Sequence, residues 1–158
     1  MPTNSKPRRK NAQRRVIVNA QARAMGVGSV FTANDQLAMG LPPRTALEAL
    51  RGGFATVEHF NDLAMTVNIA LICAERIGPR AEAVALAGRD ALLQVHQRHA
   101  RAGKWGFAGG EAAAVASVLD IYDQLLDLLN AGQMRAAVAE YTHRVHAGEH
   151  FGKNGKES

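Results

Sequence analysis

The chain has a single cysteine, Cys73. That excludes an internal disulfide and leaves a thiolate metal site without its ligands. The setting of Cys73, between Ile72 and Ala74, is apolar, so the residue reads as an inert core thiol with no need of an oxidising compartment. Aromatic residues are only 5% of the sequence, and the clusters of β-branched and aromatic residues that mark strands are scarce. No stretch approaches the roughly 18 apolar residues of a membrane-spanning helix. The longest candidate, Leu63–Ala74, is interrupted by Thr66 and Asn68 and reads as a buried central helix. Nor does any acidic residue precede Asp35.

That last absence locates the charge. The whole chain carries +5. Lys6, Arg8, Arg9, Lys10, Arg14 and Arg15 put +6 into residues 1–15, which leaves −1 for all that follows. The pI of about 9.9 therefore belongs to a basic arm on a nearly neutral body. Residues 1–15 have little to bury and cannot offset their ordering entropy, so a disordered tail is expected. Six clustered cations suit phosphates, through counterion release that is independent of base sequence. DNA or RNA is thus one expected partner. The alternatives are an acidic protein partner, a membrane surface or simple solvation. Val16-Ile17-Val18 is too short for a secretory core, and the tail lacks the amphipathic face of a mitochondrial presequence. A cytoplasmic location and no membrane partner are expected.

What the chain does have is helix-forming residues. Ala, Leu, Val and Arg are abundant, and apolar residues recur at 3.6-residue spacing. Residues 16–40 carry Gly26, Gly28, Ser29, Asn34 and Gly40 and read as irregular. Pro42-Pro43 would open a short first helix, ending near Arg51 at Gly52-Gly53. Thr56 then caps a second helix over Val57–Ile77, with Phe60, Leu63, Ala64, Val67, Leu71 and Ala74 on its apolar face. A third spans Arg80–Ala102, with Ala81, Val84, Gly88, Leu92 and Val95 inward. A fourth runs from Glu111 to Asn130. A fifth, from Gln133 to Ala147, should bury Met134, Val138, Tyr141 and Val145. Short links imply antiparallel neighbours. The expected fold is an all-α antiparallel bundle of four long helices and one short one, occupying 41–147. A disordered tail (1–15) and an irregular segment (16–40) come before it, and a frayed polar C-terminus (148–158) follows. The second and fourth helices are apolar over much of their circumference, which favours a homodimer.

Several constellations invite a chemical reading. Ala74, Gly78 and Val84 have the rough spacing of a helix-turn-helix, but the helix after Arg80 offers few donors for base edges, so a plain helical hairpin is expected. His96 and His99 share a helix face, as do His143, His146 and His150 beside Glu140. No carboxylate shell accompanies them, and a solvated basic face is the simpler reading. Asp120, Asp123 and Asp127 form an acidic stripe opposite Val118, Leu119, Tyr122 and Leu126. This is the outward face of an amphipathic helix, and the basic tail of the same or another subunit is one partner for it. Gly103–Gly110 resembles an anion cradle at a helix N-terminus but lacks the phosphate-loop pattern. Trp105 and Phe107 within it are expected to staple the loop to the bundle. Asn68 reads as a buried, satisfied core residue. No nucleophile–base–orienter set can be assembled, so no catalytic residue, metal or cofactor is expected.

Three stretches together carry a resemblance: Ala46-Leu47-Glu48-Ala49-Leu50-Arg51-Gly52-Gly53-Phe54-Ala55-Thr56 with Asn68-Ile69-Ala70 and Ile77-Gly78; Ala87-Gly88-Arg89-Asp90-Ala91-Leu92; and the basic tail followed by Val16-Ile17-Val18-Asn19. The chain resembles a largely uncharacterised family of small proteins from proteobacterial prophages, plasmids and integrated elements. The likeness departs at residues 20–40 and at Tyr122-Asp123. It implies a non-enzymatic accessory or regulatory role in a mobile element and supplies no catalytic residues. With the tail, the expectation is contact with nucleic acid through Lys6, Arg8, Arg9, Lys10, Arg14 and Arg15. The alternative is a protein-interaction module, an inhibitor or adaptor, whose tail serves solubility or docking.

Overall fold

From Leu63 to Ala74 only Met65 and Asn68 lie outside the buried set, so the helix carrying these residues must be covered on nearly every side. In the computed structural model, which describes residues 31–148, four other helices supply that cover. The helices are α1 (Ala33–Gly52), α2 (Val57–Ile77), α3 (Pro79–Ala102), α4 (Glu111–Leu128) and α5 (Ala131–His146). The described residues contain no strand. Helix α2 packs against each of the other four and is the centre of the molecule. Its Leu63 and Val67 share one buried core with Leu47, Leu50, Leu92, Val95, Val115 and Leu119 of the neighbours.

Helices α1 and α4 run antiparallel. Gln36 near the start of α1 donates to the Leu126 carbonyl near the end of α4, while Arg44, two turns on, reaches back to Asp120. At the α3–α4 crossing a Cβ on Gly88 would overlap Val118 Cγ2, so only a glycine allows this approach. Helix α5 follows the end of α4, yet Arg144 near its own end holds Glu75 near the end of α2. Both ends of α5 therefore sit at one end of the bundle, and the helix lies across it.

The largest departure from the sequence reading is α1. A short helix opening at Pro43 was expected, with 16–40 irregular. The helix instead starts at Ala33 and runs 20 residues, with Pro42 and Pro43 inside it. The prolines cannot donate to the carbonyls of Ala38 and Met39, a cost of about 3 kcal/mol in an ordinary helix interior. Specific contacts hold the N-terminal half in place. Thr32 and Asp35 form a reciprocal capping box. The Gln36 amide donates to the carbonyls of Phe31 and Leu126. Met39 packs on the core and Pro43 is buried. Thus no helix is short in the sense expected, and the bundle domain begins before residue 41.

Other boundaries agree closely. Helix α2 has the expected limits, with Thr56 as its N-cap and His59 completing the box. On α5, Met134 is buried and Tyr141 and Val145 are partly so, but Val138 is 39% exposed. A helix laid across a bundle end buries a narrow strip, and Val138 falls outside it. The apolar surfaces of α2 and α4 that favoured a dimer are largely consumed within one chain. The expected disordered tail (1–15) and most of the frayed C-terminus (148–158) lie outside the described residues.

Two substitutions test this packing. Leu71→Asp places an unpaired charge against Ala74 and Ala85, which costs several kcal/mol. The chain should lose its cooperative urea transition, and a soluble variant unfolding like wild type would refute the central place of α2. Gly88→Ala gains about 1 kcal/mol of helix propensity but overpacks fully buried Val118, at about 1–3 kcal/mol. Its urea midpoint should fall, and an unchanged midpoint would show that α3 and α4 separate freely.

Candidate nucleic-acid interface

The six cations singled out from the sequence, Lys6, Arg8, Arg9, Lys10, Arg14 and Arg15, lie outside the described residues. The structure does place the arginines of the body. Arg44 on α1 donates to Asp120 and Asp123 on α4 at 2.7 and 2.6 Å. Partial burial works against the Arg44 charge, and the two carboxylates outweigh it, raising its pKa. Two members of the acidic stripe are therefore engaged from inside the fold, while Asp127 remains exposed. Arg98 forms a two-pronged pair with Glu111 at 2.6 and 3.0 Å and also donates to the Gly106 carbonyl. Arg144 holds both oxygens of Glu75 at 2.8 Å and Glu140 at 2.9 Å. Its hydrogen bond is the main reason the Glu75 carboxyl lies below its ordinary value. Arg51 and Arg89 pair with Glu48 and Asp90.

The glycine-rich loop holds an anion of the chain's own. Glu111 accepts from the Ala108 amide at 2.8 Å and from Arg98, so a carboxylate occupies the N-terminus of α4. Burial raises the Glu111 carboxyl, but the Arg98 and Ala108 hydrogen bonds and the Arg98 charge outweigh it, leaving a net lowering. Trp105 does staple the loop. It stacks on His99 with centroids 3.6 Å apart and planes 4° from parallel, and on Phe60 at 4.5 Å. His96 lies 5.7 Å from Phe60. His96 and His99 are thus ring-packing residues. No group of three or more His, Cys, Asp or Glu that could hold a metal occurs among the described residues, and His150 lies outside them.

The remaining motifs are structural in the same way. A single residue, Gly78, links α2 to α3, with its amide on the Ala74 carbonyl at 3.0 Å. Ala81, Ala85 and Leu86 pack on Leu71 and Ala74. This is a tight hairpin, and it lacks the three- or four-residue turn of a DNA-reading helix pair. Asn68 is half-buried and donates to the Ala64 carbonyl one turn back, at 2.7 Å. Cys73 is buried, and burial pushes its thiol up to about 11. The thiolate is therefore scarce at neutral pH.

No family model, curated protein or solved structure matches the chain. Among the described residues, no helix is long and apolar enough to cross a membrane.

Sequence reasoning passed over Arg44, Arg98 and Arg144, because an arginine on a helix does not announce the carboxylate that will face it. The Arg98–Glu111 pair carries a pH signature. A carboxyl with a folded pKa below its unfolded value contributes stability above the unfolded pKa and loses it as pH falls through the folded one. Glu111→Gln should lower stability at pH 7 by about 1–2 kcal/mol. It should also weaken the loss of stability between about pH 5 and pH 3. Urea titrations of both proteins across that range check this, and parallel profiles would deny the pair its role.

Proposed function

We propose that this chain is a non-enzymatic accessory or regulatory protein that contacts nucleic acid through its basic tail. The observation that carries this reading is the segregation of charge. Residues 1–15 hold +6, and the rest of the chain sums to −1. Half of the described body cations, Arg44, Arg51, Arg89, Arg98 and Arg144, are each engaged by a carboxylate of the same chain, and the unpaired ones, Arg76, Arg80, Arg101, Lys104 and Arg135, are spread over α2, α3, α5 and the loop after α3. Cations committed in this way neutralise few phosphates, so the tail is the part of the chain best suited to the task. The resemblance to small proteins of prophages and plasmids supports a role in a mobile element. The helical body would present the tail or connect it to another component.

A second reading is favoured by Leu37 and Leu41, 63% and 56% exposed and one turn apart on α1. An i, i+4 leucine pair open to solvent suits an apolar protein partner or a second copy of the chain. In this reading the protein is an inhibitor or adaptor and the tail assists docking.

The two separate in one titration. Binding of DNA and RNA is measured with the full chain and with a chain lacking residues 1–15, from about 50 to 200 mM salt. The nucleic-acid reading expects most of the affinity to disappear with the tail. It also expects log K to fall with log salt at a slope of up to about −5 on duplex DNA, as six cations imply. No binding by the full chain at about 50 mM salt would refute it and leave the interaction module.

A further inference from the structure

Of the five Phe, two Tyr and one Trp in the chain, Phe54, Phe60, Trp105 and Phe107 gather at the end of the bundle where α1 and α3 finish and α2 and α4 begin. Three of these are at least partly buried. Phe54 is not: it is the most exposed large apolar residue described, at 68%. It is nonetheless held. Gly53, at φ 73°, closes α1 in a Schellman turn, with the Phe54 amide on the Ala49 carbonyl at 3.1 Å and the Gly53 amide on that of Leu50. The ring lies against Gly52 so closely that a Cβ there would collide with it. In such turns the apolar residue after the glycine usually packs back on the last helical turn and is covered. Here the turn fixes the ring and leaves most of it in water.

The surroundings have a matching chemistry. A Cβ on Gly106 would lie 3.9 Å from the Leu50 carbonyl, which brings the loop of Lys104 and Trp105 alongside the turn bearing Phe54. Trp105 is locked between His99 and Phe60. Arg101 and Lys104 lie between His99 and Trp105 in sequence, are exposed and, like Arg76, Arg80 and Arg135 elsewhere, take part in no ion pair among the described residues. The C-terminus of α3 favours a cation there, which accounts for their sign but not for an ordered, exposed phenyl ring at the same end of the bundle.

We infer that this end of the bundle is a second contact surface, a stacking platform for single-stranded nucleic acid. Phe54 supplies the face for a base, and Arg101 and Lys104 approach the flanking phosphates. Stacking of bases on fixed aromatic rings beside backbone-tracking cations is the general mode of sequence-tolerant single-strand binding. A protein interface needs a broader apolar centre, whereas Val57, at 48% exposure, is the only other exposed large apolar residue at this end among the described residues. The inference rests on the nucleic-acid reading of the tail, which would hold the strand while the platform selects an unpaired region.

The test uses the full chain with a short oligothymidine and a duplex of equal length. Phe54→Ala should weaken single-strand binding about tenfold or more and leave duplex binding within about twofold. Phe54→Tyr should retain binding, and Phe54→Leu, which keeps bulk without a π face, should behave like Phe54→Ala. Arg101→Gln with Lys104→Gln should shallow the single-strand salt slope by about 1.4. The ring is exposed, so unchanged urea midpoints and unchanged emission from Trp105, the sole tryptophan, would show that the variants are folded. Wild-type single-strand affinity in Phe54→Ala, or equal losses on both substrates, overturns the platform alone. Full binding by Phe54→Leu assigns the ring to an apolar contact, as with a protein, and also overturns it. Absence of binding by the wild-type chain overturns the platform together with the reading of the tail.

Discussion

Everything in this molecule follows from the need to cover α2. A helix with buried residues on almost every side between Leu63 and Ala74 can face water only along the narrow strip of Met65 and Asn68. All four of the other helices pack against it. Helix α5 adds its cover by lying across the bundle end, where Met134 and Ala137 are buried. Burial of this apolar surface is the dominant favourable contribution, and the polar contacts serve mainly to orient the covering helices.

Those contacts are few and specific. Arg44 fastens α1 to α4, Arg98 fastens the end of α3 to the start of α4, and Arg144 fastens α5 to α2. Partly exposed ion pairs of this sort contribute modestly to stability, on the order of 1 kcal/mol or less each. Their geometric effect is larger. Each joins two helices at a fixed level and so selects one register among several that the apolar faces would tolerate. These three guanidiniums have their carboxylates in the same chain, whereas Arg76, Arg80, Arg101, Lys104 and Arg135 form no ion pair among the described residues.

The aromatic end shows how a loop with four glycines can be ordered. Gly103 to Gly110 would be expensive to fix by backbone preference alone. Trp105 inserted between His99 and Phe60, together with Arg98 holding the Gly106 carbonyl, anchors it at two points. Glu111 adds a third through the Ala108 amide. One result is a firm surface at this end, on which an exposed ring such as Phe54 can hold a defined position.

The sequence by itself determined the helical class, the limits of α2 and nearly those of α3, the central place of Leu63–Ala74 and the separation of charge between tail and body. These are local properties: 3.6-residue periodicity, glycine stops and a Thr cap act within a few residues of where they are read. It misjudged α1, because two adjacent prolines are a strong local signal for a helix start. Only the contacts of Gln36, Met39 and Pro43 with distant residues make the longer helix worthwhile. It could not place α5, since the strip a crossing helix buries depends on what it crosses. It also saw the acids at 120 and 123 as an outward stripe, while the arginine that faces them sits 76 residues away from the first of them. Tertiary structure decided these points, because long-range pairings depend on which surfaces meet, and that is settled only when the apolar faces have packed.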